Sequence, residues 1–477
     1  MTRGVKIAPA ESAATADLIV VLPGIQGSTL VKEGREVWAP SAGSVVRAIA
    51  SFGSSVQSLT LPPDLGDDDP GDGVKPGRLM PDLHLIPGLW SVNLGYGVLL
   101  DRLRSILRAS NPADADGDEP PNLLAVPYDW RLSNRLNARR VKGIVEPALE
   151  RLRARGGTFG DARVTFVCHS MGGLVARWYV EKEGGREVTR KLITLGTPHR
   201  GALKAVCELV NGVERGFGPL RLDLTGFARS LPSAYQLLPE YACIESERGL
   251  LKMTEVSVPA LDPTLVRDGA RFHAELDEAW SKCPPDGVDL NPVVGTKQST
   301  QTTAQIDGDK LVPEETIKGD DERGDATVPR LSATPRGLSP DSGTIHWVAA
   351  RHGALQSAPA ALDHLEGIIT ARTIIHRALP LTEICLRVPE LVLAGADVLL
   401  EARLEDDVRA TLQVAVTDER GTIVDRQRLK GSGPTRQGVL RSLRPGGYRV
   451  TVGGYGVAAT QVAAVISPLV VWAPETA

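Results

Sequence analysis

Five cysteines in 477 residues, Cys168, Cys207, Cys243, Cys283 and Cys385, form an odd, widely spaced set without a CxxC pair. That excludes a disulfide framework and a zinc knuckle, and predicts reduced thiols. Long apolar runs are also missing: none reaches the ~18 residues of a bilayer-spanning helix. Blocks of about five or six like charges are absent, and the net charge is −4, which excludes nucleic acid as a partner class. Neither a metal-ligand cluster nor a phosphate-cradling glycine loop occurs, so the chain is expected to need no metal and no cofactor. The first apolar run, LIVVL at residues 18–22, is too short for a signal-peptide core. It predicts a first strand in a cytoplasmic protein, peripheral at most to the inner face of the membrane.

What is present is an alternation. Strand-like runs (DLIVVLPG, NLLAVPYDW, ARVTFVCHS, VTRKLITLGTP) are interleaved with helical patterns (GVLLDRLRSILRAS, ARRVKGIVEPALERLRARGG, GGLVARWYVEKEGG). Such βαβ alternation predicts an α/β fold with a mostly parallel sheet covered by helices on both faces. From residue 379 the texture becomes short alternating strands with Asp, Gly and Pro turns. That predicts a division into an α/β domain over 1–378 and a small all-β sandwich over 379–477. The sandwich carries no catalytic constellation; its candidate roles are stability and packing, or docking to a protein partner or membrane surface.

In VTFVCHSMGGLVARWYV, an apolar strand turns into a helix at Ser170. A serine at such a turn is either a helix cap or the nucleophile of a strained elbow, its hydroxyl held above the sheet. In the second case the free N–H groups of the helix start face developing negative charge, and Met171 N–H is an oxyanion donor. Asp325 in RGDATVPRLSA and His352 in GTIHWVAARHGAL follow in the chain order Ser, Asp, His of an α/β-hydrolase. His352 is preferred to His346 (inside the strand), His169 (beside the serine) and His199, because a base belongs on the loop after a strand's carboxyl end. Asp325 is preferred to the solvated run Asp320, Asp321, Glu322. The second oxyanion donor falls in VVLPGIQGSTL, where Ile25 or Gln26 follows a PG turn.

Two segments have the pattern of lids. Val45, Val46, Ile49, Phe52, Val56 and Leu59 recur at helical spacing, one apolar stripe within a broader 40–90 insertion. Residues 207–230 are glycine-rich and include Phe217, Leu220, Leu222 and Phe227. Each segment either covers the site or packs as core.

Together VLPGIQGSTL, VPYDWRLS, CHSMGGLVARWYV, LITLGTPHRGA, LPSAYQLLP, GDATVP and ARHGAL resemble the lecithin:cholesterol acyltransferase family of α/β-hydrolases, over residues 17–369. The resemblance implies acyl-ester chemistry on lipids, with Ser170 as nucleophile, Asp325 as orienting acid and His352 as base, and it favours Gln26 over Ile25 as oxyanion donor. The implied activity is that of a lipase or phospholipase; separately, the reading of the chain as cytoplasmic leads to the expectation that a partner or signal switches it on, since it would otherwise attack the cell's own membrane. An acyltransferase to an alcohol and a catalytically silent binding module are the alternatives. Tyr128, Asp129, Trp130 and Arg131 match a family hallmark, expected here as a buried ion pair with a packed indole. Two departures stand out: the 40–90 region has no cysteine for the family's lid disulfide, and the β domain lies outside the resemblance.

Overall fold

The computed structural model describes residues 16–39, 58–81, 92–110, 119–215, 222–282, 287–371, 382–405 and 410–472. Its centre is a sheet of six strands: β1 (Leu18–Leu22), β2 (Leu123–Ala125), β3 (Val164–His169), β4 (Thr189–Leu195), β5 (Asp289–Thr296) and β6 (His346–Ala349), in the order β6-β5-β4-β3-β1-β2. Every adjacent pair is parallel. Parallel strands need crossover helices, so both faces are covered, and the central β1 reads as a continuous apolar run. In β1, Leu18, Val20 and Leu22 join one core, while Ile19 and Val21 join the other.

The first core also holds Val141, Val145 and Leu149 of α2 (Asn134–Arg153), and Leu174, Val175 and Trp178 of α3 (Met171–Lys182). The opposite core holds Leu99, Leu103 and Ile106 of α1 (Gly97–Ser110), with Leu362 and Leu365 of α4 (Pro359–Thr370). The sheet grows from β1 to β2 on one side and to β3 on the other. Loops leaving the carboxyl ends of β1 and β3 therefore meet at a switch point, where open α/β sheets place their sites.

The C-terminal region has its own core between two sheets. One pairs β7 (Ile384–Arg387), β9 (Val398–Leu404) and β12 (Thr435–Leu440) in the order β7-β9-β12; the other runs β8-β14-β13-β10-β11, comprising β8 (Leu391–Leu393), β10 (Leu412–Asp418), β11 (Ile423–Arg428), β13 (Gly446–Gly454) and β14 (Val465–Trp472). Val398, Leu400, Ala402 and Leu404 point inward at every second position, the period of a half-buried strand. The sandwich is antiparallel except for the short β8, which pairs in parallel with β14.

The predicted boundary at 378 lies outside the described residues, as do positions 40–57 and 82–90 of the first lid segment, including Val45 through Val56. Leu59 is buried in the core. Of the second segment, Phe217 and Leu220 are outside the described residues, whereas Cys207, Leu224 and Phe227 are buried, with Phe227 edge-on to Trp130. The described part thus packs as core. Among the described residues no helix is long and apolar enough to cross a membrane.

Candidate active site

Ser170 has φ 52° and ψ −127° and makes no side-chain cap to α3. A non-glycine residue at positive φ is strained and persists only where its surroundings hold it. Here the Ser170 N–H donates to Leu195 O at 2.9 Å, and Thr197 Oγ1 donates to Ser170 O at 2.9 Å. The hydroxyl is thereby freed from capping and lies 2.9 Å from His352 Nε2. His352 stands just after β6, at the start of a short 3-10 turn, and its Nδ1 is 2.7 Å from Asp325 Oδ2.

Asp325 is fully buried. Its Oδ1 accepts from Thr327 N–H (3.0 Å) and Val328 N–H (2.7 Å), and its carbonyl accepts from His352 N–H at 2.7 Å. Two backbone donors and the imidazole N–H thus complete a carboxylate with no water access. With Nδ1–H directed at Asp325, Nε2 is the acceptor and can take the Ser170 proton.

The turn after β1 lies against the elbow: a Cβ on Gly24 would be 2.9 Å from Ser170 Cβ. Gln26, in that turn, has φ 61° and is buried. Met171 is the first residue of α3. The five residues singled out from the sequence, Ser170, Asp325, His352, Gln26 and Met171, are therefore carried by loops and a helix start at one end of the sheet.

The PYDWR stretch props this loop from beneath. Tyr128 Oη donates to Pro23 O at 2.8 Å, Tyr128 N–H to Ser28 Oγ at 3.1 Å, and Trp130 Nε1 to Ser28 O at 3.2 Å. Arg131 makes a bidentate pair with Asp129, Nε to Oδ1 at 3.0 Å and Nη2 to Oδ2 at 2.7 Å. Its Nη1 reaches Leu59 O and Asp72. Arg131 and Asp129 are 0% and 1% exposed; a buried pair needs such complete bonding to offset desolvation.

Sequence reasoning missed Thr197 and Tyr96, and weighed His169 only as a base. Thr197 holds the elbow carbonyl. Tyr96 Oη is 2.9 Å from His169 Nδ1 and accepts from Gly24 N–H at 2.7 Å. His169 Nε2 is 3.1 Å from His352 O. The signal for His169 was its place beside the serine; Tyr96 gave none. Burial, and then the nearby His352, push the His169 pKa down to about 3, so its ring is neutral. Among the described residues no group of three or more His, Cys, Asp or Glu could hold a metal.

The family model for lecithin:cholesterol acyltransferase matches residues 114–264, a span that contains PYDWR and CHSMGG and ends before Asp325 and His352. No curated protein matches the chain. Among solved structures, the mature form of the Bacillus licheniformis lipase BlEst2 is similar at 12% identity, covering 77% of this chain and 96% of that one, with a TM-score of 0.35. The same lipase in its propeptide form gives 11% identity, 95% and 93% coverage and 0.35. The PKD domain of an M14-like peptidase from Thermoplasmatales archaeon SCGC AB-540-F20 gives 10% identity, 20% and 96% coverage and 0.16.

Proposed function

We propose that this lecithin:cholesterol acyltransferase-like α/β-hydrolase is a serine-dependent lipase or phospholipase that cleaves lipid acyl esters through an acyl-enzyme on Ser170. The observation that carries the reading is the alignment of Ser170 Oγ, His352 and Asp325 at 2.9 and 2.7 Å. The family's name supplies the acyl-ester class.

In this mechanism His352 Nε2 takes the Ser170 proton as Oγ attacks the ester carbonyl. The carbonyl oxygen becomes an oxyanion that accepts from the main-chain N–H groups of Gln26 and Met171. The intermediate collapses, the C–O bond breaks, and the alcohol leaves with the proton held on His352. Water then gives a proton to His352 and attacks the acyl carbon, releasing the fatty acid and restoring Ser170. Asp325 keeps the imidazole in the productive tautomer and stabilises its cation. An alcohol in place of that water would make the enzyme an acyltransferase, the second reading suggested by the matching family model.

The test is mass spectrometry of phospholipid and neutral-lipid vesicles incubated with wild type or Ser170→Ala, with and without a long-chain alcohol. Fatty acid and lysolipid from wild type alone are expected, with Ser170→Ala slower by on the order of a million-fold. A new ester with added alcohol would move the assignment to acyl transfer; equal products from both proteins would overturn it. We further propose that a partner or signal raises the activity on membrane lipid above the basal rate read in that test. A vesicle rate that stays unchanged when lysate from the expressing cells is added would overturn that part.

A further inference from the structure

We propose that Tyr96 and His169 are positioning residues, forming a directed hydrogen-bond relay that sets the oxyanion turn and the base loop in one register about Ser170. The inference rests on the serine-hydrolase reading above. It starts from proton bookkeeping in a buried place. The acceptor facing His169 Nε2 is the His352 carbonyl, at 3.1 Å, and a carbonyl only accepts. Nε2 therefore carries the ring proton, and in the neutral ring Nδ1 is an acceptor. The donor to it is Tyr96 Oη at 2.9 Å. Having given its proton, Tyr96 Oη takes one from Gly24 N–H at 2.7 Å. Every bond has one allowed direction: Gly24 N–H to Tyr96, Tyr96 O–H to His169, His169 N–H to His352 O.

The relay's ends are functional. Gly24 belongs to the turn that carries Gln26, and a Cβ there would strike Ser170 and approach His169 Nδ1 to 3.2 Å. The other end is the backbone of His352 itself. His169 immediately precedes Ser170, so three loops from β1, β3 and β6 are joined through two side chains.

Tyr96 is in turn held to the base loop by its own segment. Leu94 N–H donates to Gly353 O at 2.8 Å, and Gln356 Nε2 donates to Asn93 Oδ1 at 2.6 Å, Gly95 O at 3.0 Å and Gly353 O at 3.2 Å. Any Cβ on Gly353 would overlap Val92 O. Residues 92–96 and 353–356 thus form one clasp behind His352, and the relay closes it across the site. Burial lifts the Tyr96 hydroxyl far above its ordinary pKa and keeps it a donor.

A side chain that only fills space would, when altered, lower the amount of folded enzyme and leave the rate per folded site unchanged. A positioning relay behaves differently, because misplacement of reacting groups by a fraction of an ångström lowers kcat with little effect on substrate binding.

The experiment measures p-nitrophenyl ester turnover and fluorophosphonate labelling of Ser170, normalised to titrated active sites, in wild type, Ser170→Ala, Tyr96→Phe, His169→Gln and Tyr179→Phe. Tyr179 supplies a control hydroxyl: it is buried and donates to Glu146 Oε1 at 3.3 Å, away from the relay. Tyr96→Phe is expected to lower kcat by about 10- to 100-fold at unchanged KM, with labelling slowed in parallel. His169→Gln, whose amide can give to His352 O and accept from Tyr96, should retain more activity than Tyr96→Phe, while Tyr179→Phe stays at the wild-type rate per site. Tyr96→Phe within twofold of wild type per titrated site would overturn the relay. Wild type that is neither labelled nor active would instead overturn the serine-hydrolase reading, and the relay with it.

Discussion

Arg351 Nη2 lies 3.0 Å from Glu390 Oε1, so the residue immediately before the proposed base is tied to the C-terminal β domain. Arg351 Nη1 also donates to Leu386 O at 2.9 Å, and the other Glu390 oxygen accepts from Val92 N–H at 3.1 Å. One carboxylate of the β domain thus grips both the base loop and the clasp that braces it.

Glu390→Gln should therefore destabilise the protein in a pH-dependent way. Burial pushes the Glu390 carboxyl up, but Lys204, Arg351 and the Val92 N–H outweigh it and hold the pKa below the usual glutamate range. A depressed folded pKa means that its contribution is complete above the unfolded value, about 4.3, and fades as pH falls through the folded one. Thermal unfolding from pH 7 to pH 3 should show a Tm gap between wild type and variant that narrows below about pH 4. A constant gap would count against the charge being what matters.

Gly24→Ala is expected to lower turnover by about 100- to 1000-fold, the loss associated with one oxyanion donor. The added methyl would meet Ser170 Cβ at 2.9 Å and push the Gln26 turn away. Steady-state kinetics on a short-chain ester check this, with circular dichroism to establish that the fold is retained.

Asp129→Asn should act mainly on stability. It leaves the buried Arg131 guanidinium with Asp72 and Leu59 O but without its bidentate partner. A loss of about 3 kcal/mol follows from breaking such a pair, read as a lower urea midpoint at unchanged slope. Activity per folded molecule should change far less than in Gly24→Ala.

His169 makes the folded state sensitive to mild acid. Its pKa is about 3 in the fold, through burial and the neighbouring His352, and about 6.5 when unfolded. The unfolded chain therefore binds more protons between those values, and stability falls as pH drops from about 6.5, on the order of 1 kcal/mol per pH unit from this group. His273, held down to about 4 by burial, adds to the slope. Urea unfolding across pH 4 to 7 should show a shallower dependence for His169→Gln than for wild type; identical slopes would rule the assignment out.

Much of the fold was legible because the physics was local. β1 is apolar throughout and β3 buried throughout since both faces are covered, and the helical period of residues 97–110 matches α1 end to end. Ser170, Asp325 and His352, which lie within 2.9 and 2.7 Å of one another along the chain of contacts, could be singled out as candidates because chain order and turn chemistry select them one at a time. Tyr96 could not. Its partner His169 is 73 residues away, and no periodicity in a short turn announces a phenol that must reach it. The same holds for Glu390, which meets Arg351 across a domain interface, and for β8, three residues too short to pattern and paired in parallel by tertiary packing alone.

The contact of Arg351 with Leu386 O and Glu390 also bears on modularity. The change of texture near residue 379 invites a cut, as if the hydrolase half were a cassette that could be excised or grafted onto another partner. Such an excision would strip a cationic side chain of its carboxylate and its carbonyl, one residue from the proposed base. It would also take away Ile384 O and Leu386 N–H, which the Gln298 amide binds at 2.9 and 3.0 Å. The seam that looks dispensable in one dimension is, in three, bonded to the residue beside the proposed base and to Gln298, so a cut there would leave buried polar groups on both sides without partners.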